Sequence, residues 1–152
     1  MKIEFLFGTE SGTAEIVCED LEVATKGRAE TSIQSLEDID PESLSGDVFY
    51  VVSCSTYGSG DIPATAQEFY EKLTTDKPDL SHVRFAIFGL GDRTFYGTFC
   101  EGSEKIMNAL KDCGATQVGE RGISDAATGA FPEEDAVVWI EDIYAELGLA
   151  SA

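Results

Sequence analysis

The chain alternates short apolar segments with amphipathic helical segments, and this alternation restricts its fold more than any other feature of the sequence. Residues 2–7, 48–54 and 83–88 are apolar runs of strand length, and 29–34 and 116–123 are weaker strand candidates. Helical spacing occupies the intervals, at 12–26, 63–75, 101–113 and 132–147. Strands that are apolar on both faces and separated by helices are typical of a parallel sheet covered on both sides. Because crossovers between parallel strands are right-handed, the pattern predicts an open, doubly wound α/β fold.

Two prolines and a glycine indicate where the predicted helices begin and end. Pro63 and Pro132 stand at first-turn positions, where a missing N–H is no loss. Gly114 follows the third helical pattern, where a helix typically ends in glycine. The 152 residues contain no repeat, linker or low-complexity stretch, so we expect a single domain spanning 1–152.

The charge of the chain excludes some classes of partner and favours others. It has 10 basic and 29 acidic side chains and a formal net charge of −19. Such a surface repels nucleic acid and anionic membranes and attracts basic proteins, although solubility alone is a competing explanation. There is no run of about 20 apolar residues, and the amino-terminal segment MKIEFLFG is too short and too acidic for a secretory segment. We therefore expect a cytoplasmic protein with no membrane span.

The sequence predicts no metal site. The four cysteines are scattered and form no C-x-x-C pair, which argues against zinc, iron–sulfur clusters and a disulfide framework. The single histidine, His82, is interpreted as a loop or strand-edge residue. The acidic segment 37–47 has the spacing of a calcium loop in part, but Ser43 stands where that loop requires glycine.

Three loops follow the apolar strands and are expected to converge, because ligands of doubly wound folds bind beyond the carboxyl ends of the strands. The first loop consists of Thr9, Glu10, Ser11, Gly12, Thr13 and Ala14. It leads into a helix amino terminus, where free N–H groups and the helix dipole favour an anion. The hydroxyl groups of the loop add hydrogen-bond donors, and its glycine lets the backbone come close to the anion. This loop therefore predicts a phosphate site that uses no lysine or arginine. It lacks the lysine of a Walker loop.

The second and third loops place aromatic rings among glycines. Tyr57 stands beside Gly58 and Gly60 after the strand at 48–54. The third loop has the sequence FGLGDRTFYGTFC over residues 88–100. Two aromatic loops that face each other can enclose a flat ring, so the three loops together predict a phosphorylated aromatic ligand.

These motifs resemble the flavodoxin family from end to end. GTESGTAE matches the phosphate-loop pattern of that family, STYGSGDIPATAQEFYEKL is similar to the FMN domains of diflavin reductases, and FGLGDRTFYGTFC matches the third flavodoxin loop. The absence of an insertion near 116–123 is similar to the short-chain class, and KPDLSHVRF is similar to the MioC-like short flavodoxins. The resemblance implies a five-stranded parallel sheet of order 2-1-3-4-5 with helices on both faces. It also implies non-covalent FMN and one-electron transfer at low potential.

The resemblance also implies which residues meet the cofactor. The phosphate is expected at Thr9 to Ala14, and Tyr57 together with an aromatic residue of the third loop is expected to flank the ring. Asp125 matches an acidic residue near the ring, although this match is weaker. The remaining expected contacts come from the second and third loops: Ser55, Thr56, Gly58, Gly60, Leu90, Gly91, Asp92, Phe95, Tyr96, Phe99 and Cys100.

Two questions stay open at the level of sequence. The third loop has one residue more than the usual family loop, so either Phe95 or Tyr96 is the outer aromatic residue, and the spacing to Phe99 and Cys100 favours Tyr96. Cys54 and Cys100 are expected near the ring, where packing is favoured over redox sensing.

The expected protein is a monomeric electron carrier that turns over no substrate of its own. Its partners are a basic flavodoxin/ferredoxin–NADP reductase and redox acceptor proteins, which are expected to dock near Tyr57 and Tyr96. The alternative is an FMN enzyme of the NAD(P)H:quinone reductase type, which needs a substrate pocket. A receiver-type signalling module is disfavoured, because no acidic pair follows the first strand.

Overall fold

The computed structural model describes residues 1–9, 12–56, 62–91, 101–125, 128–129 and 131–149. Its strands are β1 (Lys2–Gly8), β2 (Glu30–Ser35), β3 (Val48–Ser55), β4 (Arg84–Gly91), β5 (Thr116–Gln117) and β6 (Gly122–Asp125). Its helices are α1 (Thr13–Thr25), α2 (Ala64–Thr75), α3 (Glu101–Asp112) and α4 (Pro132–Leu147). Two short 3-10 turns, Leu36–Asp38 and Pro41–Ser43, occupy the connection between β2 and β3.

The sheet is parallel throughout and runs in the order β2-β1-β3-β4-β5, with β6 also paired to β4. The predicted strand at 116–123 is therefore two pieces. β5 pairs with the start of β4 and β6 with its end, so together they occupy the fifth strand position. The predicted doubly wound fold and its strand order 2-1-3-4-5 are confirmed.

The helices form one layer on each face of the sheet. Along β3, Phe49 and Val51 face the α1–α4 layer, whereas Tyr50 and Val52 face the α2–α3 layer. This alternation follows from the two-residue period of a strand, and it makes β3 apolar on both faces. Each layer is closed by buried apolar residues at helical spacing: Ala14, Val17, Cys18, Leu21, Ala136, Ile140 and Ile143 on one face, and Ala66, Phe69, Leu73, Ile106 and Leu110 on the other.

The predicted helix ends agree with the structure to within one residue. Pro63 precedes α2 as its N-cap, Pro132 is the first residue of α4, and Gly114 follows α3 at φ 96. His82 lies just before β4, and its Nε2 is 3.0 Å from the backbone oxygen of Leu44, as expected for a structural residue.

No helix in the described residues is long and apolar enough to span a membrane. Within the same residues, no group of three or more His, Cys, Asp and Glu side chains is placed to hold a metal ion.

Candidate functional site

The carboxyl ends of four strands lie side by side at one edge of the sheet. Gly8 pairs with Cys54, Ser55 pairs with Leu90, and Gly91 pairs with Asp125. This register brings together the described ends of all three predicted loops, together with the acidic residue that the resemblance added. Convergence follows from parallel pairing, since every strand points its carboxyl end in the same direction.

Ten of the predicted site residues lie outside the described residues: Glu10, Ser11, Tyr57, Gly58, Gly60, Asp92, Phe95, Tyr96, Phe99 and Cys100. Their roles, and the choice between Phe95 and Tyr96, stay predictions.

The start of the first loop is fastened to α2 through two hydrogen bonds at one hydroxyl. The backbone N–H of Thr9 donates to Thr65 Oγ1 at 2.8 Å, and that hydroxyl donates to the backbone oxygen of Thr9 at 3.0 Å. Thr65 is a site residue that sequence reasoning missed. It lies 56 residues from Thr9, and a lone threonine in a helical first turn gives no signal of such a contact.

The loop then curls so that Thr9 Oγ1 accepts a hydrogen bond from the Gly12 N–H at 2.8 Å. A threonine hydroxyl that accepts this bond keeps its own O–H as a donor. Gly12 is the N-cap of α1 and has φ 92, a conformation that L side chains rarely adopt. The glycine in the predicted phosphate loop is therefore required by the backbone itself.

The amino terminus of α1 has the properties of an anion site. No side chain in the described residues caps it, and the first helical hydrogen bond runs from the Ile16 N–H to the Gly12 oxygen at 3.2 Å. First-turn N–H groups and the positive end of the helix dipole attract a negative group. A Cβ built on Gly12 would meet no heavy atom of the described residues within 4 Å, so these residues leave space for a ligand beside this backbone.

The ends of β3 and β4 are held together and fixed against α3. The Thr56 N–H donates to the Leu90 oxygen at 3.1 Å, and Thr56 Oγ1 accepts from the Gly102 N–H at 3.0 Å. A Cβ built on Gly102 would lie 2.6 Å from the Ser55 oxygen, so α3 approaches this strand end as closely as only glycine permits. Gly102 is a second residue that sequence reasoning did not single out.

The fifth strand position delivers Asp125 to the same edge, and α4 supports it. Next to Asp125, Ser124 is buried, and its hydroxyl donates to the carboxylate of Asp135 in the first turn of α4 at 3.0 Å. On the other side, Thr128 Oγ1 donates to the Asp125 backbone oxygen at 2.8 Å. These contacts fix the backbone of Asp125 beside Gly91.

The buried side chains beneath this edge are small. Cys54 is fully buried, and its Sγ donates weakly to the Ser55 oxygen at 3.4 Å. The packing interpretation of Cys54 agrees with this burial. Ser53 is also fully buried, and its hydroxyl has no hydrogen-bond partner among the described residues.

The donor set suits FMN. A phosphate needs hydroxyl and N–H donors, which Thr9 and the start of α1 supply, and a ring with polar edges needs backbone groups at strand ends. No lysine or arginine occurs among the described residues of the three loops, at Thr9, 12–14, 55–56 and 90–91. The described part of the site therefore offers neutral donors to an anion.

Comparisons with known proteins agree with this geometry. The family model for flavodoxin matches residues 5–139. Protein MioC of Escherichia coli O157:H7 is 38% identical over 138 residues, which cover 91% of this chain and 92% of that protein. NADPH-dependent diflavin oxidoreductase 1 of Yarrowia lipolytica is 37% identical over 129 residues, which cover 82% of this chain and 19% of that much longer protein.

A solved structure gives the same result in three dimensions. A cysteine-to-serine mutant of flavodoxin from Pseudomonas aeruginosa superposes with a TM-score of 0.83 at 26% identity, covering 97% of this chain and 99% of that one. A family match over most of the chain, relatives above 30% identity and a shared fold all point the same way. The chain belongs to the flavodoxin family of FMN-binding electron carriers.

Proposed function

We propose that this protein, as one domain spanning 1–152, shuttles electrons one at a time between a reductase and redox acceptor proteins and turns over no substrate of its own. The observation that carries the proposal is the alignment of the β1, β3 and β4 ends beside the amino terminus of α1. FMN supplies the one-electron chemistry when bound, and the protein supplies binding, orientation and electrostatics.

The predicted site residues that the structure describes have distinct parts in holding the cofactor. The Thr9 hydroxyl and the N–H groups of Thr13 and Ala14 bind the phosphate, and Gly12 shapes the turn between them. Backbone groups of Ser55, Thr56, Leu90 and Gly91 meet the polar edge of the ring, with Asp125 beside them. The predicted partners in the undescribed loops complete the site: Glu10, Ser11, Tyr57, Gly58, Gly60, Asp92, Phe95, Tyr96, Phe99 and Cys100.

The electrostatics of the chain favour a low potential. With 29 acidic against 10 basic side chains, and Asp125 at the site edge, the surroundings oppose added negative charge on a bound group. If the fully reduced cofactor bound about a thousandfold more weakly than the form one electron above it, the lower couple would fall by roughly 180 mV, at about 59 mV per decade.

The same charge bears on the partners. A net charge of −19 suits basic partners, such as a flavodoxin/ferredoxin–NADP reductase, and we propose that the protein meets them as a monomer in the cytoplasm. Relatives described as diflavin oxidoreductases support a role with redox partners, since an FMN-type segment there forms part of a longer protein.

An anaerobic reductive titration followed by absorbance tests the function. The purified protein is expected to bind FMN in a one-to-one ratio and to take up its electrons in two separate one-electron stages. Failure to bind added FMN would refute the proposal. Steady-state NADPH oxidation with a quinone and no added reductase would instead show an enzyme.

A hydroxyl deletion tests the phosphate site. Thr9→Val removes the hydroxyl that accepts from Gly12, and the dissociation constant of FMN is expected to rise about tenfold, as for loss of a hydrogen bond to a charged group. Thr74→Val is the matched control, since the Thr74 hydroxyl donates to backbone oxygens in the last turn of α2. Fluorescence titration of FMN measures both, and equal affinities would remove Thr9 from the site.

A one-carbon addition tests the close contact of α3 with β3. Gly102→Ala places a Cβ against the Ser55 oxygen, so the strand end or the helix must move. We expect weaker FMN binding and a stability loss of about 1–3 kcal/mol. Asn108→Ala, at an exposed position of the same helix, is expected to change neither quantity appreciably.

A further inference from the structure

The exposed large apolar side chains are concentrated on one face of the molecule. Six such side chains occur in the described residues, and four of them lie on or beside α1 and α4: Ile16 is 49% exposed, Val23 72%, Phe131 61% and Val138 74%, whereas Met1 (53%) and Ile123 (43%) lie elsewhere. The first two lie on α1, Val138 lies on α4, and Phe131 is the N-cap of α4. The described residues of α2 and α3 contribute none. Single exposed apolar residues are ordinary, but four on one pair of adjacent helices form a pattern.

The spacing of these residues repeats on the two helices. Ile16 and Val23 are seven residues apart, and so are Phe131 and Val138. Seven residues make about two helical turns, so each pair lies on one side of its helix, opposite the buried side. Exposed carboxylates stand one turn from each apolar residue, Glu19 and Asp20 on α1 and Glu134 on α4. The α1–α4 face is defined here by these four apolar residues and the carboxylates of the two helices.

The two helices of this face carry acidic side chains and no basic ones, although Arg28, which follows α1, pairs with Glu141. α1 carries four carboxylates and α4 six, with no lysine or arginine on either helix: Glu15, Glu19, Asp20, Glu22, Glu133, Glu134, Asp135, Glu141, Asp142 and Glu146. α2 and α3 together carry five carboxylates and three lysines: Glu68, Glu71, Glu101, Glu104, Asp112, Lys72, Lys105 and Lys111.

The acidic connection beside α2 does not reproduce the pattern. It contains five carboxylates, those of Glu37, Asp38, Asp40, Glu42 and Asp47. Its apolar residues Leu36 and Leu44 are buried in the α2–α3 core, however. Among the described residues, neither α2, nor α3, nor this connection combines negative charge with an exposed large apolar side chain as the α1–α4 face does.

We propose that the α1–α4 face docks a protein partner whose surface carries lysines and arginines around an apolar patch. The inference rests on the proposed function only in identifying that partner as a redox protein. Charge complementarity selects the occupant, because the nine carboxylates other than Glu141, which Arg28 pairs, would repel a second copy of this chain and an anionic membrane. Apolar residues between the charges give the contact area that salt does not screen.

The position of the face fits electron transfer. α1 and α4 both begin at the edge where the carboxyl ends of the strands meet. Ile16 lies in the first turn of α1, and Phe131 immediately precedes α4, so one end of this face adjoins the strand-end edge where we propose that the cofactor binds. Val23 and Val138 extend the contact away from that edge, along the helices.

Binding of cytochrome c, a basic haem protein, tests the location of the surface. Isothermal titration at low ionic strength compares two double variants with the same change of net charge. Glu19→Lys with Glu134→Lys alters the proposed face and is expected to weaken binding more than tenfold. Glu71→Lys with Asp112→Lys alters exposed positions of α2 and α3 and is expected to weaken it less than threefold. Equal losses would show attraction by net charge alone and would overturn the proposal.

An isosteric double variant tests the apolar contribution. Val23→Thr with Val138→Thr keeps shape and charge, and it is expected to weaken binding about fivefold with the loss unchanged when salt is added. Unchanged affinity would overturn the proposal, as would amide shift changes in NMR confined to α2 and α3. A dimer in sedimentation experiments that the valine variant abolishes would assign the face to a second copy. None of these measurements requires FMN, so a failure to bind FMN refutes the proposed function alone.

Discussion

The two helical layers cover the same sheet with equally buried cores but present different surfaces. The α2–α3 layer carries both basic and acidic side chains. The Nζ atom of Lys72 lies 3.5 Å from Oε1 of Glu68, one turn away, and 3.9 Å from Oδ2 of Asp40. The α1–α4 layer has no basic residue on either helix, and the ion pair that supports this layer lies away from the site edge, near the carboxyl end of α1. There Arg28, whose side chain is 5% exposed, pairs with Glu141 and covers the Tyr144 ring at 4.7 Å.

In the α1–α4 layer, the residues that stabilise the fold are buried, and the exposed carboxylates do not stabilise it. Unneutralised carboxylates on neighbouring helices repel one another and add nothing to stability. Burial also keeps the layer chemically quiet: it raises the pKa of the Cys18 thiol far above its usual range, and the carboxylates of Glu15, Glu19 and Glu22 add to the effect. The α1–α4 layer is therefore stabilised by its buried apolar packing and by the ion pair of Arg28 with Glu141.

The largest expected effect is one that the layers share. Leu21→Ala in α1 and Leu73→Ala in α2 each truncate a leucine that is at most 1% exposed. We expect each to lower the free energy of unfolding by about 2–5 kcal/mol, through lost burial and a cavity. Urea denaturation at saturating FMN measures both. A small loss in one layer only would show that the two cores are not equally well packed.

The next effect distinguishes the layers through their ion pairs. Arg28→Met removes a guanidinium that is almost fully buried against Tyr144 and Glu141, and we expect a loss of about 2 kcal/mol. Lys72→Met removes a half-exposed ammonium, and we expect a change within about 0.5 kcal/mol. Thermal or urea unfolding measures the difference. Equal losses would mean that the ion pair of Arg28 is no stronger than a surface pair.

The helices and strands of both layers could be predicted from the sequence, and the reason is periodicity. The two-residue period of β3 and the helical spacing of Ala14, Val17 and Leu21 depend only on local geometry, so the buried faces were readable. The position of the site at one edge of the sheet could also be predicted, because the carboxyl ends of parallel strands lie at the same edge.

Contacts between residues distant in sequence were not readable. The bond from Thr9 to Thr65 and the burial of Arg28 depend on how the helices sit on the sheet. The division of the fifth strand also escaped prediction, since β5 and β6 both pair with β4 and the residues between them form no regular pattern.

A smaller effect compares one buried tyrosine from each layer. The Tyr144 hydroxyl bonds with Thr25 Oγ1 in the α1–α4 layer, and Tyr50 accepts from the Ser45 N–H at 2.7 Å beside the other layer. We expect Tyr144→Phe and Tyr50→Phe each to cost about 1 kcal/mol at neutral pH, measured by urea unfolding.

These tyrosines also predict the direction of the alkaline response. Burial is the main cause that raises the pKa of both phenols above the usual 10.0. The unfolded chain therefore releases these protons at lower pH than the folded protein, and stability falls as pH rises above about 10. Each phenylalanine variant removes one ionising group, so its loss between pH 9 and about 11 should be shallower. An unchanged slope in both variants would contradict burial as the cause.

The smallest expected effect concerns the outward valines, and it is informative because it is small. Val138→Thr exchanges a methyl group for a hydroxyl at a position that is 74% exposed, so we expect a change in unfolding free energy within about 0.5 kcal/mol. Val17→Thr makes the same exchange at a fully buried position of α1, where an unpartnered hydroxyl should cost about 1–3 kcal/mol. If Val138→Thr cost as much as Val17→Thr, this valine would serve the fold and not a partner. A valine that contributes nothing to stability yet weakens binding of a basic protein when altered belongs to a surface that faces a partner.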